Sequence, residues 1–106
     1  MVAELIWRAR AENHLQSIFD YISSENADAA ASYVEAILEA CERLRSFPMS
    51  GRAYNKRYRV LVVRNHLVFY RYAMQSANVI IVAVIDGRRD ISVLLRDIDS
   101  DERFNH

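Results

Sequence analysis

The spacing of the apolar residues changes near residue 48 of this 106-residue chain, and this change restricts the fold more than any other feature. Before it, apolar residues recur every three to four positions, as they do on the buried stripe of an α-helix. After it, residues 58–63, 67–73 and 79–85 form three runs rich in β-branched and aromatic residues, which are typical of strands. Helices followed by strands predict an α+β fold in which the helices cover one face of a sheet.

Two helices are predicted in the first half of the chain. Their stripes are Leu15, Ile18, Phe19 and Ile22, and then Val34, Ile37, Leu38, Cys41 and Leu44. The first helix should end near residues 23–25, and Asn26 can cap the second because its side-chain oxygen can accept a hydrogen bond from a first-turn amide. The connection is so short that the two helices should pack antiparallel, as a hairpin. Pro48 should end the second helix because it disfavours helical backbone at Phe47.

The remaining elements are predicted to be strands and a short C-terminal segment. A short strand is expected at residues 4–8, and short connections should join the three later runs into an antiparallel meander. The run 79–85 is apolar throughout, so that strand should be buried on both faces. Residues 49–52 should form a turn. The last apolar residues are Ile91, Leu94, Leu95 and Ile98. They predict a short helix or turn over the sheet, with residues 99–106 as a mobile polar tail.

Length and composition limit the class of protein. The length suits one domain, residues 1–106. No apolar run is long enough to span a membrane, and the first residues lack the features of a signal peptide, so a cytoplasmic protein without a membrane partner is expected. Cys41 is the only cysteine, which excludes an internal disulfide, and its helical core position predicts a small buried hydrophobe.

The net charge of zero hides an uneven distribution along the chain. Residues 1–46 carry four basic residues and eight acids, a net charge of −4, and residues 97–106 carry one basic residue and four acids, a net charge of −3. Residues 47–96 carry nine basic residues and two acids, a net charge of +7. The neutral total argues against indiscriminate nucleic-acid binding, and the basic middle predicts a localised surface that faces an anion.

Metal and cofactor sites are not expected. The three histidines, His14, His66 and His106, lack the spacing of metal ligands, and His14 is expected on a helix surface. With only two glycines in the chain, a phosphate-binding or dinucleotide-binding loop cannot be built. No cofactor is therefore predicted.

The arginines of the strand region are the residues left to carry chemistry, and the meander should bring them to one face or edge. Arginines can hold a phosphate and His66 can transfer a proton near neutral pH, as an RNA-cleaving site requires. Alternatively, Arg88 and Arg89 pair with Asp86, Asp90 and the acids of the helices. The residue types alone leave both alternatives open.

Several stretches, in this order, resemble the RelE/ParE superfamily of toxins from bacterial toxin–antitoxin (plasmid stabilisation) modules, and specifically its ParE-like branch. They are residues 9–22, 26–30, 44–52, 58–62, 66–71 and 84–90, the last reading Val84-Ile85-Asp86-Gly87-Arg88-Arg89-Asp90. Together they cover most of the chain, and the fold of the family agrees with the predicted layers.

The resemblance implies a toxin that is neutralised by a small, ParD-like antitoxin encoded beside it, and the two are expected to form a heterotetramer or a larger assembly. RelE-like members cleave messenger RNA on the ribosome, and ParE-like members poison DNA gyrase. In this chain Arg89 matches an arginine of the ribonuclease members. The arginine expected at the start of the middle strand is replaced by His66, and the late tyrosine by Leu95. Both departures, with the neutral charge, favour a non-enzymatic toxin whose target is gyrase. The alternatives are a ribosome-dependent endoribonuclease and an inactive homologue that still binds the antitoxin.

Candidate site residues follow from the resemblance and the residue types. If the chain cleaves RNA, the catalytic residues are His66, Arg71 and Arg89. The candidates for contact with the target are Arg59, Arg88, Arg89, Phe104 and His106. The candidates for contact with the antitoxin are Trp7, Tyr33, Phe69, Tyr70 and Tyr72, since so small a chain has more large apolar residues than an interior can hold.

Overall fold

The structure, a computed structural model, describes residues 2–104 of the chain, without the side chain of Phe104. In chain order its elements are β1 Glu4–Trp7, α1 Ala9–Ser23, α2 Ala27–Arg43, β2 Arg52–Ala53, β3 Arg59–Val63, β4 His66–Ala73, β5 Asn78–Asp86 and α3 Ile91–Phe104. The predicted α+β class, with a strand, a helical hairpin and a meander, is confirmed.

The five strands form one sheet in the order β1-β5-β4-β3-β2. The meander β3-β4-β5 is antiparallel as predicted, and β1 adds to its free edge parallel to β5, with Trp7 opposite Ile81. The turn predicted at residues 49–52 is followed at its end by a two-residue strand, β2, which pairs with β3. The strand was missed because two residues are too few to show a period.

The middle of β5 is buried on both faces of the sheet, as its apolar run predicts. Val79 and Ile81 belong to the core between the sheet and the helical hairpin, and Ile80 and Val82 belong to the core on the other face. A β-bulge leaves Val82 without a partner on β4. The sheet is therefore the middle layer of three, between α1–α2 and α3.

The hairpin of α1 and α2 forms as predicted. The Asn26 side chain accepts a hydrogen bond from the Ala29 backbone N–H at 3.0 Å, which caps α2. However, α2 ends at Arg43, before Phe47 and Pro48. The backbone N–H groups of the next three residues donate to carbonyls three residues back, as in turns, so the helix has already ended when the proline is reached.

The largest departure from prediction is α3, which has 14 residues and extends through residues 99–104. The prediction of a mobile tail over those residues was wrong. Glu102 is 4% exposed, and its carboxylate lies 3.0 Å from Nε of Arg8 and 3.6 Å from a guanidinium nitrogen of Arg10. Asp99 accepts a hydrogen bond from the Tyr58 hydroxyl at 2.8 Å. These polar contacts attach the end of α3 to the sheet and to the start of α1.

Within residues 2–104 no helix is long and apolar enough to cross a membrane.

Candidate functional site

Two adjoining cavities lie where β5 ends beside α1. The larger, of about 480 Å³, is lined by Ile18, Tyr21 and Ile22 of α1, Tyr33 of α2, and His66, Asp86, Arg88 and Arg89 from the strand ends. The smaller, of about 370 Å³, shares His66, Asp86 and Arg89 and adds Arg10 and His14. We refer to the two cavities together as the arginine groove. It brings together four of the predicted site residues, Tyr33, His66, Arg88 and Arg89.

Tyr33 holds His66 in one orientation. The hydroxyl of Tyr33 lies 2.6 Å from Nδ1 of His66 and accepts a hydrogen bond from the Asn65 backbone N–H at 3.2 Å. Because the Tyr33 oxygen accepts the hydrogen bond from Asn65, its O–H group can donate a hydrogen bond to Nδ1 of His66. Burial lowers the pKa of His66, and although the Asp86 carboxylate opposes this effect, Arg88 adds to it. His66 is therefore neutral at physiological pH.

Arg88 is paired with Asp86. Its guanidinium donates to both carboxylate oxygens, at 3.0 and 2.7 Å, and its backbone N–H donates to one of them at 2.9 Å. The side-chain hydrogen bonds from Arg88, followed by that from its backbone, hold the pKa of Asp86 well below its usual value. The predicted pairing of Arg88 with Asp86 is therefore observed. Arg89, by contrast, makes no ion pair among residues 2–104.

His14 is part of the framework of the groove, not a surface residue as predicted. It is half-buried, and its Nδ1 accepts a hydrogen bond from the Val84 backbone N–H at 3.1 Å. Burial lowers the pKa of His14, and Arg10 and Arg89 lower it further. The sequence offered one signal: His14 lies four residues before Ile18, beside the buried stripe of α1.

Arg71 and Arg59 lie away from the groove, so the meander does not gather the arginines on one face. Arg71 stands opposite Ile80 of β5, whose side chain belongs to the core beneath α3, whereas His66 contacts Tyr33 on the helical-hairpin side. Arg59 donates hydrogen bonds to the backbone carbonyls of Gly51 and Met49, at 2.8 and 3.1 Å. Its contacts hold the loop before β2, which is a structural role.

Two of the five aromatic residues predicted to contact an antitoxin are fully buried. Phe69 packs in the core beneath α3. Tyr70 packs in the core beneath the hairpin, and its hydroxyl donates to the Pro48 carbonyl at 2.8 Å and accepts from the Gly51 N–H at 3.0 Å. Neither can reach a partner, so the prediction was wrong for these two. Trp7, Tyr33 and Tyr72 are half-buried.

Two predicted target contacts cannot be placed. His106 and the side chain of Phe104 lie outside the described residues.

An apolar groove between the two helices of the hairpin and Trp7 of β1 was not predicted as such. It has a volume of about 490 Å³ and is lined by Trp7, Leu15, Phe19, Val34 and Leu38, with Glu12 and Gln16. We refer to it as the hairpin groove. Of the predicted antitoxin contacts, only Trp7 lines it.

Neither a metal nor a thiol site accompanies these grooves. Among residues 2–104, no group of three or more His, Cys, Asp or Glu side chains is placed to hold a metal ion. Cys41 is fully buried, as predicted, and burial, followed by the nearby Glu42, raises the pKa of its thiol to about 12. A thiol that stays protonated at physiological pH is a poor nucleophile.

Comparison with protein families identifies the chain. The model of the ParE toxin of the type II toxin–antitoxin system parDE matches residues 5–91. The chain belongs to the ParE toxin family. The match ends at Ile91, the first residue of α3, so the rest of α3 lies beyond the part of this ParE toxin that the family model matches.

Solved structures agree with the fold of this ParE toxin. The chromosomal ParDE system of P. aeruginosa superposes with a TM-score of 0.69 at 20% identity, over 80% of this chain and 96% of that one. A mutant of the E. coli toxin RelE in the free state gives 0.64 at 10% identity, over 94% and 93% of the two chains. The RelBE2 toxin–antitoxin complex of Mycobacterium tuberculosis gives 0.63 at 14%, over 81% and 99%. No curated protein gives a significant sequence match.

Proposed function

We propose that this ParE-family toxin arrests growth by binding DNA gyrase, not by cleaving RNA. The observation that carries the proposal is the separation of the ribonuclease candidates. His66 and Arg71 are five residues apart on β4, which is about 17 Å along a strand. The odd spacing also directs the two side chains to opposite faces of the sheet. A phosphate held by one of them is out of reach of the other.

The remaining pair, His66 and Arg89, does share the arginine groove. An RNA-cleaving site, however, needs a base, an acid and charge stabilisation around one phosphate. Leu95 stands where the resemblance expects a late tyrosine, and its side chain is buried beneath the sheet. The groove is therefore better suited to binding than to proton transfer.

The match to a ParE model supports gyrase as the target, because gyrase is what ParE-like members act on. The test is induced expression in a growing culture, followed by primer extension on translated messages. We expect growth arrest without cleavage inside ribosome-bound codons. Cleavage that disappears in His66→Ala would establish the endoribonuclease alternative instead.

The antitoxin partner is proposed to occupy the hairpin groove. Leu38 is 43% exposed at its rim, beside the apolar side chains of Phe19 and Val34, although a free protein gains nothing from such exposure. A segment that orders on binding can cover a groove of this shape.

Co-expression with the adjacent open reading frame tests the antitoxin proposal. The product of that frame should copurify with the wild-type toxin but not with Leu38→Glu, which puts a charge into the apolar contact. Met74→Glu, at a residue 75% exposed in the β4–β5 turn, is the matched control and should copurify. Equal copurification by both variants would place the antitoxin elsewhere.

A further inference from the structure

The arginine groove combines an apolar wall with a cationic wall. Ile18 and Ile22 of α1 line one side, and Tyr21, at 82% exposure, stands beside them. Arg88 and Arg89 follow β5 on the other side. A ligand that fills the groove therefore meets hydrocarbon on one side and guanidinium groups on the other.

One cation of the groove is available to a ligand. The only carboxylate described in the larger cavity is that of Asp86, and it is already held by three hydrogen bonds from Arg88. Arg89 is exposed and has no acidic partner in the described part of the chain. Two arginines against one aspartate leave a formal charge of +1 on the lining.

Hydrogen bonds fix the surroundings of that cation before any ligand arrives. Asp86 holds Arg88 from both carboxylate oxygens, and Tyr33 ties the Asn65 backbone to the His66 ring. Side chains held in this way lose little conformational freedom on binding.

The charge of the groove favours a carboxylate ligand over a nucleic acid. A nucleic-acid site neutralises several phosphates in a row, with a run of cations along the backbone. Here the net charge of the lining is one, and the whole chain is neutral. A single carboxylate next to an apolar side chain matches both walls, because an arginine fork can bind a carboxylate through two parallel hydrogen bonds.

We propose that the arginine groove binds an acidic peptide segment, with a carboxylate on Arg89 and a neighbouring apolar side chain against Ile18, Ile22 and Tyr21. The inference rests on the proposed function, because a toxin that acts by protein binding needs a docking site, and it assigns the chemistry of the segment that docks. The hairpin groove shares no lining residue with the arginine groove, so it remains available to the antitoxin.

Fluorescence anisotropy with the full-length protein tests the proposal directly. The probe is a fluorescein-labelled peptide of Gly-Glu-Leu repeats, compared with Gly-Gln-Leu and Gly-Lys-Leu repeats and with labelled oligothymidine. We expect the acidic peptide to bind most tightly and to weaken as salt rises from about 0.05 M to about 0.3 M. Tighter binding of oligothymidine, equal binding of the Gln peptide, or no binding of the acidic peptide would overturn the proposal.

Variants locate the binding. Arg89→Ala should lower the affinity for the acidic peptide about tenfold, which is the usual effect of losing one charge-assisted hydrogen bond. Arg96→Ala is the matched control: Arg96 is an exposed arginine without an ion pair in the described residues, and it lines a different cavity, with Tyr54 and Tyr58. Arg96→Ala should change the peptide affinity by less than about twofold, which is smaller than the effect of losing a charge-assisted hydrogen bond. Equal losses in the two variants would mean diffuse attraction and would overturn the proposal.

A gyrase assay on the same proteins separates this inference from the proposed function. If the acidic peptide binds as expected and the wild-type protein does not affect gyrase, peptide binding in the arginine groove is supported and gyrase is not the target. If Arg89→Ala weakens the peptide and still inhibits gyrase fully, the inference that the target docks here is overturned.

Discussion

At the scale of single residues, the side chain of His14 accepts a backbone hydrogen bond that a neighbouring strand would otherwise accept. β1 pairs with β5 only as far as Ile81, so the edge of β5 beyond that point has no strand beside it. Nδ1 of His14 satisfies the Val84 backbone N–H there, and the bond requires an unprotonated Nδ1. Because this histidine must be neutral in the folded state, the stability of the fold depends on pH.

The pH dependence has a definite sign. The pKa values of His14 and His66 are both lowered by burial in the folded state, so below the ordinary value of about 6.5 the unfolded chain binds more protons. The free energy of unfolding should thus be constant from about pH 8 to about pH 7 and fall as the pH drops below about 6.5. Urea denaturation at a series of pH values measures it.

Variants of His14 separate its hydrogen bond from its titration. His14→Gln keeps an acceptor and removes the titration, so it should reduce the slope of stability against pH. His14→Ala leaves the buried Val84 N–H without its partner and should cost about 1–3 kcal/mol at neutral pH. A slope that is unchanged in His14→Gln would contradict this account.

Two glycines provide a second test at the residue scale. A Cβ on Gly51 would lie 2.7 Å from the Tyr70 hydroxyl oxygen and 2.9 Å from the Val60 carbonyl oxygen, whereas a Cβ on Gly87 would meet nothing nearer than 3.4 Å. Because Tyr70 is buried and bonded on both sides of its hydroxyl, it cannot move aside. Gly51→Ala should cost about 1–3 kcal/mol in urea denaturation, and Gly87→Ala well under about 1 kcal/mol. Equal costs would show that the loop before β2 yields freely.

At the scale of elements, α3 is an integral layer of the fold. Leu95 and Ile98 cover the sheet face that contains Phe69, and Glu102 is held by Arg8 and Arg10. Deletion of residues 99–106 removes the acidic side chains that attach α3 to the rest of the fold, Asp99, Asp101 and Glu102, and should therefore lower the urea midpoint, although the sequence predicted a mobile tail over these residues.

Arg103→Ala is the control for that deletion. Arg103 is an exposed side chain one turn from Asp99, and Asp99 keeps its bonds to Tyr58 and Arg57 without it, so the change should cost less than about 1 kcal/mol. A deletion variant as stable as the wild type would mean that the first part of α3 is enough to seal the sheet.

The hydrophobic period predicted most elements and failed where a polar residue took a buried position. It located the helical hairpin and the three strands of the meander, because each of these buries an uninterrupted apolar stripe. In α3 the stripe Ile91, Leu95, Ile98 continues at the right spacing to Glu102, but that carboxylate is buried by pairing with arginines from distant parts of the sequence. No periodicity can reveal a partner 94 positions away.

The candidate site was predicted in part for a similar reason. His66, Arg88 and Arg89 were found because His66 begins β4 and the two arginines follow β5, and these two strand ends lie side by side. Arg71 was grouped with them although its odd spacing from His66 already placed it on the opposite face. Tyr33 was assigned to a partner, and its actual role as the hydroxyl that orients His66 depends on the packing of α2 against the sheet.

At the scale of the whole molecule, this ParE-family fold has two grooves that share no lining residue. The hairpin groove is proposed for the antitoxin and the arginine groove for the target. A ternary experiment tests this separation: the purified complex with the antitoxin should still bind the acidic peptide, and Leu38→Glu should release the antitoxin without changing peptide affinity. Complete competition between antitoxin and peptide would mean that the two bind overlapping sites.

Whether DNA gyrase is the target can be measured as the supercoiling of relaxed plasmid by purified gyrase in the presence of this protein. We predict concentration-dependent loss of supercoiling by the wild type, retained by Arg96→Ala and weakened by Arg89→Ala. Full supercoiling at a large excess of the folded wild-type protein, with codon-specific cleavage in a purified translation reaction, would contradict it.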